Sequence, residues 1–439
     1  MLFSSLDSDS AAGAMSDFSR TFFPQRDEKN VSNEDWAALR SEAELLFTPG
    51  TAIKEQELFA GRIEQIHKLA QRIRLAGSHA IIFGERGVGK SSLVNIFRYV
   101  ADSSPSKVQY IRVAATEGDG YEHVMRKVFK RMTIDSGDGH PVRLSELYEG
   151  KTIVPDDVLL ECERFSNADT PIIVIDEFDK LKDDKSKAQI ADTLKLLSDE
   201  AANATFFIVG VSDAVGDLLK GHESIGRALG QVEMPRMSDS EIIDIFQKRL
   251  SRLGMRISNE AQWDCVFICK GLPHYAHLLG LHASQVACDR HSLLIEQSDI
   301  TVATKRALSG ANQSIKECFE MAVFSERPEN IFKQVLTACA LAKKDVLGRF
   351  SAKSVAARLS EITGIEYHEP AFSYHLNEFC KPRRGNILQK KGDTRRFTFR
   401  FTEALMESYV VMEALERKIL TKKVVGKFRP KRQGDFFST

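Results

Sequence analysis

Gly84-Glu85-Arg86-Gly87-Val88-Gly89-Lys90-Ser91 follows the apolar run Ala80-Ile81-Ile82-Phe83 and leads at once into Ser92-Leu93-Val94-Asn95-Ile96-Phe97. Every fixed position of the pattern GxxxxGK[ST] is met, between a short strand and a helix. That order of residues has a chemical reason. Glycines let the backbone wrap a polyphosphate with its N–H groups, and the helix N-terminus adds positive dipole. Gly84, Glu85, Arg86, Gly87, Val88, Gly89, Lys90, Ser91 and Ser92 are therefore the candidate cradle for ATP. Lys90 is placed to reach the β- and γ-phosphates, and the Ser91 hydroxyl to ligate Mg²⁺.

A second motif lies downstream. Thr170-Pro171 introduces Ile172-Ile173-Val174-Ile175, apolar on both faces and β-branched, which ends in Asp176-Glu177-Phe178-Asp179. Such a run reads as a fully buried strand. An apolar strand ending in Asp-Glu is the Walker B arrangement: Asp176 would hold Mg²⁺, and Glu177 would orient and polarise the attacking water. Phosphoryl transfer leaves mostly positioning and electrostatics for the protein to do.

The composition sets outer bounds. A chain of 439 residues suggests two or three domains. Lys plus Arg equals Asp plus Glu at 61 each, so any basic surface is local rather than global. Seven scattered cysteines without a CxxC pair read as reduced core residues of a cytoplasmic protein. No apolar run approaches a membrane span, and Met1-Leu2-Phe3-Ser4-Ser5 lacks the pattern of a secretory leader, so no membrane partner is expected.

Residues 1 to about 35 read as a mobile tail, and Trp36 to Phe47 as a helix broken by Pro49-Gly50. An amphipathic helix through Ile63, Ile66 and Leu69 leads to the first strand. Further strands are expected at Val108–Ala114, Phe206–Val211 and Gln231–Met234, with an extra strand fitting between the two nucleotide motifs. Asp135 to Gly150 is polar and reads as a loop. From Ser238, a capping box with Glu241, the pattern becomes helical and continues around Gly271-Leu272-Pro273 as a lid. Helices around Ile331–Leu341, Ser351–Leu359 and Pro370–Phe379, then a hairpin with a Gly392-Asp393 turn, are the parts of a winged helix-turn-helix.

The fold class expected is α/β: a P-loop NTPase parallel sheet with a helical lid, followed by an α+β winged-helix domain. The boundaries read as 1–47 (tail and helix), 48–236 (nucleotide-binding domain), 237–326 (lid and linker), 327–415 (winged helix) and 416–439 (basic tail).

Together these motifs resemble an AAA+ ATPase of the initiator-like branch, similar to origin-recognition and replication-initiator ATPases, over roughly residues 48 to 415. Leu58-Phe59-Ala60-Gly61-Arg62 resembles the box that precedes the first strand, and Ile208-Val209-Gly210-Val211-Ser212-Asp213 resembles the sensor 1 strand. The resemblance implies that Ser212, with Asp213 as the alternative, bonds the γ-phosphate or the attacking water. In His222-Glu223-Ser224-Ile225-Gly226-Arg227-Ala228-Leu229 it implies an arginine finger at Arg227, acting in a neighbouring subunit of a homo-oligomer. At sensor 2 the family usually has an arginine, whereas Gly271-Leu272-Pro273 is followed here by His274, a weaker phosphate ligand or an ordinary lid residue. The Gly-Leu-Pro step also resembles the lid motif of STAND signalling ATPases, which hold ADP as an off state.

Lys381, Arg383, Arg384, Lys390, Lys391, Arg395, Arg396 and Arg400 face only Asp393 within their window. Lys390, Lys391, Arg395 and Arg396 are accordingly the candidate contacts of the wing with duplex DNA phosphates; a partner-protein surface is the alternative. The resemblance implies a slow, partner-stimulated ATPase that acts on or with DNA. The rival is a STAND-like signalling switch, for example in defence against phage, with a co-encoded effector; a mobile-element target selector is a third reading.

Overall fold

The computed structural model describes residues 28, 31–102, 108–135, 140–166, 169–211, 226, 229–327, 329–392 and 397–428. Among them, five parallel strands form the central sheet: β1 (His79–Gly84), β2 (Gln109–Ala114), β3 (Pro171–Asp176), β4 (Thr205–Gly210) and β5 (Leu229–Met234). Their order across the sheet is β2-β3-β4-β1-β5. Among the described residues no strand beyond these five joins the sheet; the one lying between the two nucleotide motifs is β4, already expected at Phe206–Val211, which pairs with β1 through Ala80–Phe83 and with β3 through Ile172–Ile175. It sets the two nucleotide motifs two strands apart, with their carboxyl ends at the same edge, where open α/β sheets bind ligands.

Alternation along each strand sends side chains into two cores. Ile81, Ile173, Ile175, Phe206 and Ile208 face one apolar cluster, shared with Val124, Phe129, Leu194 and Leu197. Ala80, Ile82, Ile172, Val174, Phe207 and Val209 face the other, which continues without a break through Phe246, Leu272 and Leu279 to Val335, Phe350, Leu376 and Val410. The nucleotide unit, the lid and the C-terminal unit are thus joined by one apolar core rather than by a polar linker. His79, fully buried at the start of β1, ties two elements together. Its Nδ1 accepts from the Phe206 amide at 3.2 Å, which leaves Nε2–H to donate to the Leu194 carbonyl at 3.2 Å.

The lid is built of Asp239–Leu253, Asn259–Cys269, Pro273–Asp289 and Gln297–Ser309. The Ser238/Glu241 capping box opens the first of these helices, as its spacing predicts. The helix Asn33–Leu46 packs on the lid: Leu39, Ala43 and Phe47 are buried, and buried Arg249 donates to the Leu46 carbonyl at 3.0 Å. The polar stretch expected as a loop after Asp135 instead carries a small hairpin, Thr133–Asp135 with Pro141–Arg143, and a short helix, Leu144–Leu147. Gln109 at the sheet edge explains it, because its side-chain amide bonds both the amide and the carbonyl of Thr133.

The C-terminal unit contains helices Phe332–Leu341, Ala352–Thr363 and Glu369–Phe379 and a three-stranded antiparallel sheet of Phe350–Ser351, Thr398–Phe401 and Leu388–Lys391, in that order. A further helix, Leu405–Glu416, was not legible in the sequence. It is buried over most of its circumference and bridges back to the lid: the Tyr275 hydroxyl donates to the Leu405 carbonyl at 2.7 Å, and the Ser408 hydroxyl to the Cys269 carbonyl at 3.1 Å. Among the described residues no helix is long and apolar enough to cross a membrane.

Candidate nucleotide site

Gly87 and Gly89 lie at φ 85° and 97°. A side chain is strained at such angles, and this is why the loop between β1 and the helix Lys90–Asp102 needs glycine at both places. Val88 between them is fully buried, and its carbonyl accepts from buried Arg62 at 2.9 Å, which fastens the loop from behind. Lys90 folds over the loop and donates to the carbonyls of Gly84 at 3.0 Å and Glu85 at 2.7 Å. Burial pulls its pKa down to about 8 against the pull of Asp179 and Asp176. A phosphate arriving there would restore the charged form, since an anion beside an ammonium opposes desolvation.

Ser91 Oγ donates to Asp176 Oδ2 at 3.0 Å, so the two sequence motifs meet in space. A hydroxyl and a carboxylate at that spacing are hard oxygen donors and fit Mg²⁺ shared with phosphate. Arg112 of β2, which sequence reasoning missed, pairs with the same Asp176 oxygen and with Asn95. Its only sequence signal was that it is the single charged residue of that strand. Glu177 sits at φ 56°, in the left-handed region that costs a residue with a side chain, and its carboxylate pairs with Lys180 at 2.7 Å.

Two of the expected nucleotide contacts, Ser92 and His274, also bond the segment around Pro49 and Ile53. The Ser92 hydroxyl accepts from the Ile53 amide at 3.1 Å, and Asn95 donates to the Ile53 carbonyl at 3.2 Å, so Ser92 pins the segment that precedes the box at Leu58. One nitrogen of His274, Nδ1, pairs with the Pro49 carbonyl at 2.7 Å, and burial holds the imidazole below its ordinary pKa. That bond ties the lid helix to the segment around Pro49. Ser212, its alternative Asp213, Arg227, Arg395 and Arg396 lie outside the described residues.

Among the described residues, part of the basic window of the C-terminal unit is paired with an acid that lies outside that window. Glu378, buried on the helix Glu369–Phe379, takes Lys381 at 2.7 Å and Arg383 at 2.8 Å, and these two bonds hold its pKa down at about 2. Arg384 stacks on Phe332 with its guanidinium 3.8 Å from the ring centroid and bonds the Ala322 and Phe324 carbonyls. The window therefore does not face Asp393 alone. Lys390 and Lys391 are the exposed end of the strand Leu388–Lys391, with Lys390 over the Phe397 ring at 3.6 Å and bonded to Asn377 at 2.9 Å.

The residue that most alters the picture is Arg236, just after β5. Its Nε bonds Glu85 Oε2 of the phosphate loop at 2.7 Å, and its Nη1 lies 2.6 Å from Glu407 Oε2 on the helix Leu405–Glu416. Lys344 approaches the other Glu407 oxygen at 2.9 Å. Glu407 is fully buried. Desolvation pushes its pKa up, but the fields of Arg236, Lys344 and Lys270 together overcome this and hold it below the ordinary glutamate value. Around this chain of ions the C-terminal unit touches the loop directly. Arg86 pairs with Glu403 at 3.6 Å, and Gly348 sits so close to Glu85 that a Cβ there would fall 1.4 Å from its carboxylate.

A parallel sheet with a phosphate loop at one strand end and Asp-Glu at another, under a helical lid, defines a P-loop NTPase. The chain belongs to the family Novel STAND NTPase 1, whose model matches residues 52–355. A comparison with curated proteins gives no match. Among solved structures, the Walker-type ATPase of Pyrococcus abyssi is similar at 15% identity, covering 83% of this chain and 99% of that one with a TM-score of 0.51, and shares the fold. The Aeropyrum pernix ORC1 protein in complex with DNA is also similar: 15% identity, 86% and 98% covered, TM-score 0.45. So is Cdc6p of Pyrobaculum aerophilum: 15% identity, 88% and 98% covered, TM-score 0.41.

Proposed function

We propose that the chain is an ATP-operated switch whose nucleotide decides whether the C-terminal unit stays seated on the phosphate loop. The observation that carries this reading is the ion chain Glu85–Arg236–Glu407, which links the loop to the helix Leu405–Glu416 through one guanidinium. Glu85 is part of the loop, so any change of loop backbone displaces one end of that chain. Lys90 would exchange the Gly84 and Glu85 carbonyls for phosphate oxygens, freeing those carbonyls and altering the loop on which Glu85 sits. Ser91 and Asp176 would hold Mg²⁺, which when bound neutralises charge on the β- and γ-phosphates. Glu177 would release Lys180 and orient water. Hydrolysis then resets the switch, and a homo-oligomer or a co-encoded effector reads the open form.

The reading agrees with the STAND family assignment. It is tested by hydrogen exchange of Leu405–Glu416 in the full chain carrying Glu177→Gln, with Mg²⁺–ADP against Mg²⁺–ATP. The helix is expected to exchange faster with ATP; equal protection under both nucleotides refutes the switch.

A second reading, an initiator-like ATPase whose winged helix binds duplex DNA, is favoured by the exposed Lys390 and Lys391 at the end of their strand. Against it stand Glu378, which neutralises Lys381 and Arg383, and the other polar side chains of Glu369–Phe379. Asn377 is already bonded to Lys390, and the His375 ring packs edge-on against Phe332.

A further inference from the structure

We infer that the cavity walled by Arg236, Trp263, Phe267, Lys270, Lys344 and Phe428, between the lid and the C-terminal unit, is a second ligand site, for a phosphate-bearing nucleotide of mononucleotide size. Its volume is about 350 Å³, within the range of small-molecule sites. None of the loop residues Gly84–Ser92 lines it. The site is therefore separate from the one that holds ATP, though Arg236 touches both.

The walls are of two kinds. Three cations, Arg236, Lys270 and Lys344, meet there with buried Glu407 and with Asp239 at the exposed rim. Arg236 and Lys344 are matched by Glu407, whose two oxygens lie 2.6 and 2.9 Å from them. The Lys270 ammonium, by contrast, makes no hydrogen bond or ion pair with any described residue; its contact is the Phe267 ring at 5.5 Å. Burial depresses its pKa to about 8, with the field of Glu407 opposing the shift without reversing it. The remaining wall is apolar and aromatic: Trp263, Phe267 and Phe428 with Val266, Val425 and Ala342. Inorganic phosphate would satisfy Lys270 but leave the rings against water. A neutral aromatic would cover the rings but leave the ammonium unpaired. A base joined to a phosphate does both.

An occupant would also compete with Glu407 for Arg236 and Lys344. That consequence rests on the switch reading, whereas occupancy does not.

Equilibrium dialysis of labelled AMP against the full chain saturated with labelled Mg²⁺–ADP tests the site. One AMP per chain is expected with the ADP retained. Lys270→Met should weaken AMP about tenfold or more, while Lys270→Arg stays within about threefold, as for loss and retention of one charge-assisted contact. Trp263→Leu should weaken AMP and leave phosphate unchanged. Thermal unfolding of each variant confirms that it is folded. Failure of AMP to bind, one-for-one displacement of ADP, or AMP binding undiminished in Lys270→Met overturns the site. Phosphate binding as tight as AMP overturns its assignment to a nucleotide.

Discussion

Replacing Arg236 by methionine keeps a long unbranched stem and removes the guanidinium that meets Glu85 at 2.7 Å and Glu407 at 2.6 Å. Glu407 is fully buried and would retain Lys344 alone at close range. Breaking a buried ion pair by removing one partner costs about 3–5 kcal/mol. The surviving lysine argues for the lower figure, about 3 kcal/mol, which is roughly a hundredfold in an opening equilibrium. Hydrogen exchange read by mass spectrometry should therefore show the helix Leu405–Glu416 opening about a hundredfold more often, with β1 unchanged as the internal control. Glu407→Gln should act in the same direction. Combined with Arg236→Met it should cost less than the sum, because both changes break the same contact. Acid should mimic both variants. A carboxylate whose pKa is depressed on folding contributes stability that is full above the ordinary glutamate range and lost as pH falls through the lowered value. Unchanged exchange in Leu405–Glu416, or an equal rise in β1, would refute the view that this ion chain seats the C-terminal unit locally.

Lys90→Ala should abolish nucleotide binding, while Glu177→Gln should bind ATP and fail to turn it over; equal turnover in wild type and Glu177→Gln removes Glu177 from catalysis. Arg227→Ala should leave ATP affinity nearly unchanged and lower turnover by on the order of a thousandfold if it acts as a finger in trans, checked by steady-state hydrolysis beside sedimentation. For the DNA reading, replacing Lys390, Lys391, Arg395 and Arg396 together should reduce the slope of log affinity against log salt by about two to four; coincident slopes, or no binding at low salt, leave the unit as a protein-interaction module. Burial lowers the His79 pKa to about 4. The unfolded chain then binds the extra proton between pH 6.5 and 4, and stability should fall by about 3 kcal/mol across that window as pH drops. Denaturant titrations at both pH values, with His79→Gln as the flattened control, measure it.

Where function is carried by neighbours in the chain, the sequence by itself determined the answer. Gly84–Ser91 encodes its own backbone, since the φ values of Gly87 and Gly89 and the turn into a helix are local properties. The apolar run 172–175 ending in Asp176 likewise fixes a strand and what lies at its end. That Ser91 and Asp176 would meet followed from the two motifs together, because a parallel sheet delivers all its carboxyl ends to one edge. Periodicity also placed three of the lid helices, through caps and stripes that span a few residues each. It failed at Leu405–Glu416, a helix buried nearly all round and therefore without a polar face to betray its period.

What only the tertiary structure decided is which distant charges become partners. Nothing local distinguishes Arg236 from any arginine after a strand, yet it joins Glu85, 151 positions earlier, to Glu407 in the helix Leu405–Glu416. The basic window looked unopposed until the helix Glu369–Phe379 turned Glu378 inward against Lys381 and Arg383. A side chain's charge is written in the sequence, but its energy depends on burial and on the distance to other charges. Those are set only when the lid and the C-terminal unit close over the phosphate loop.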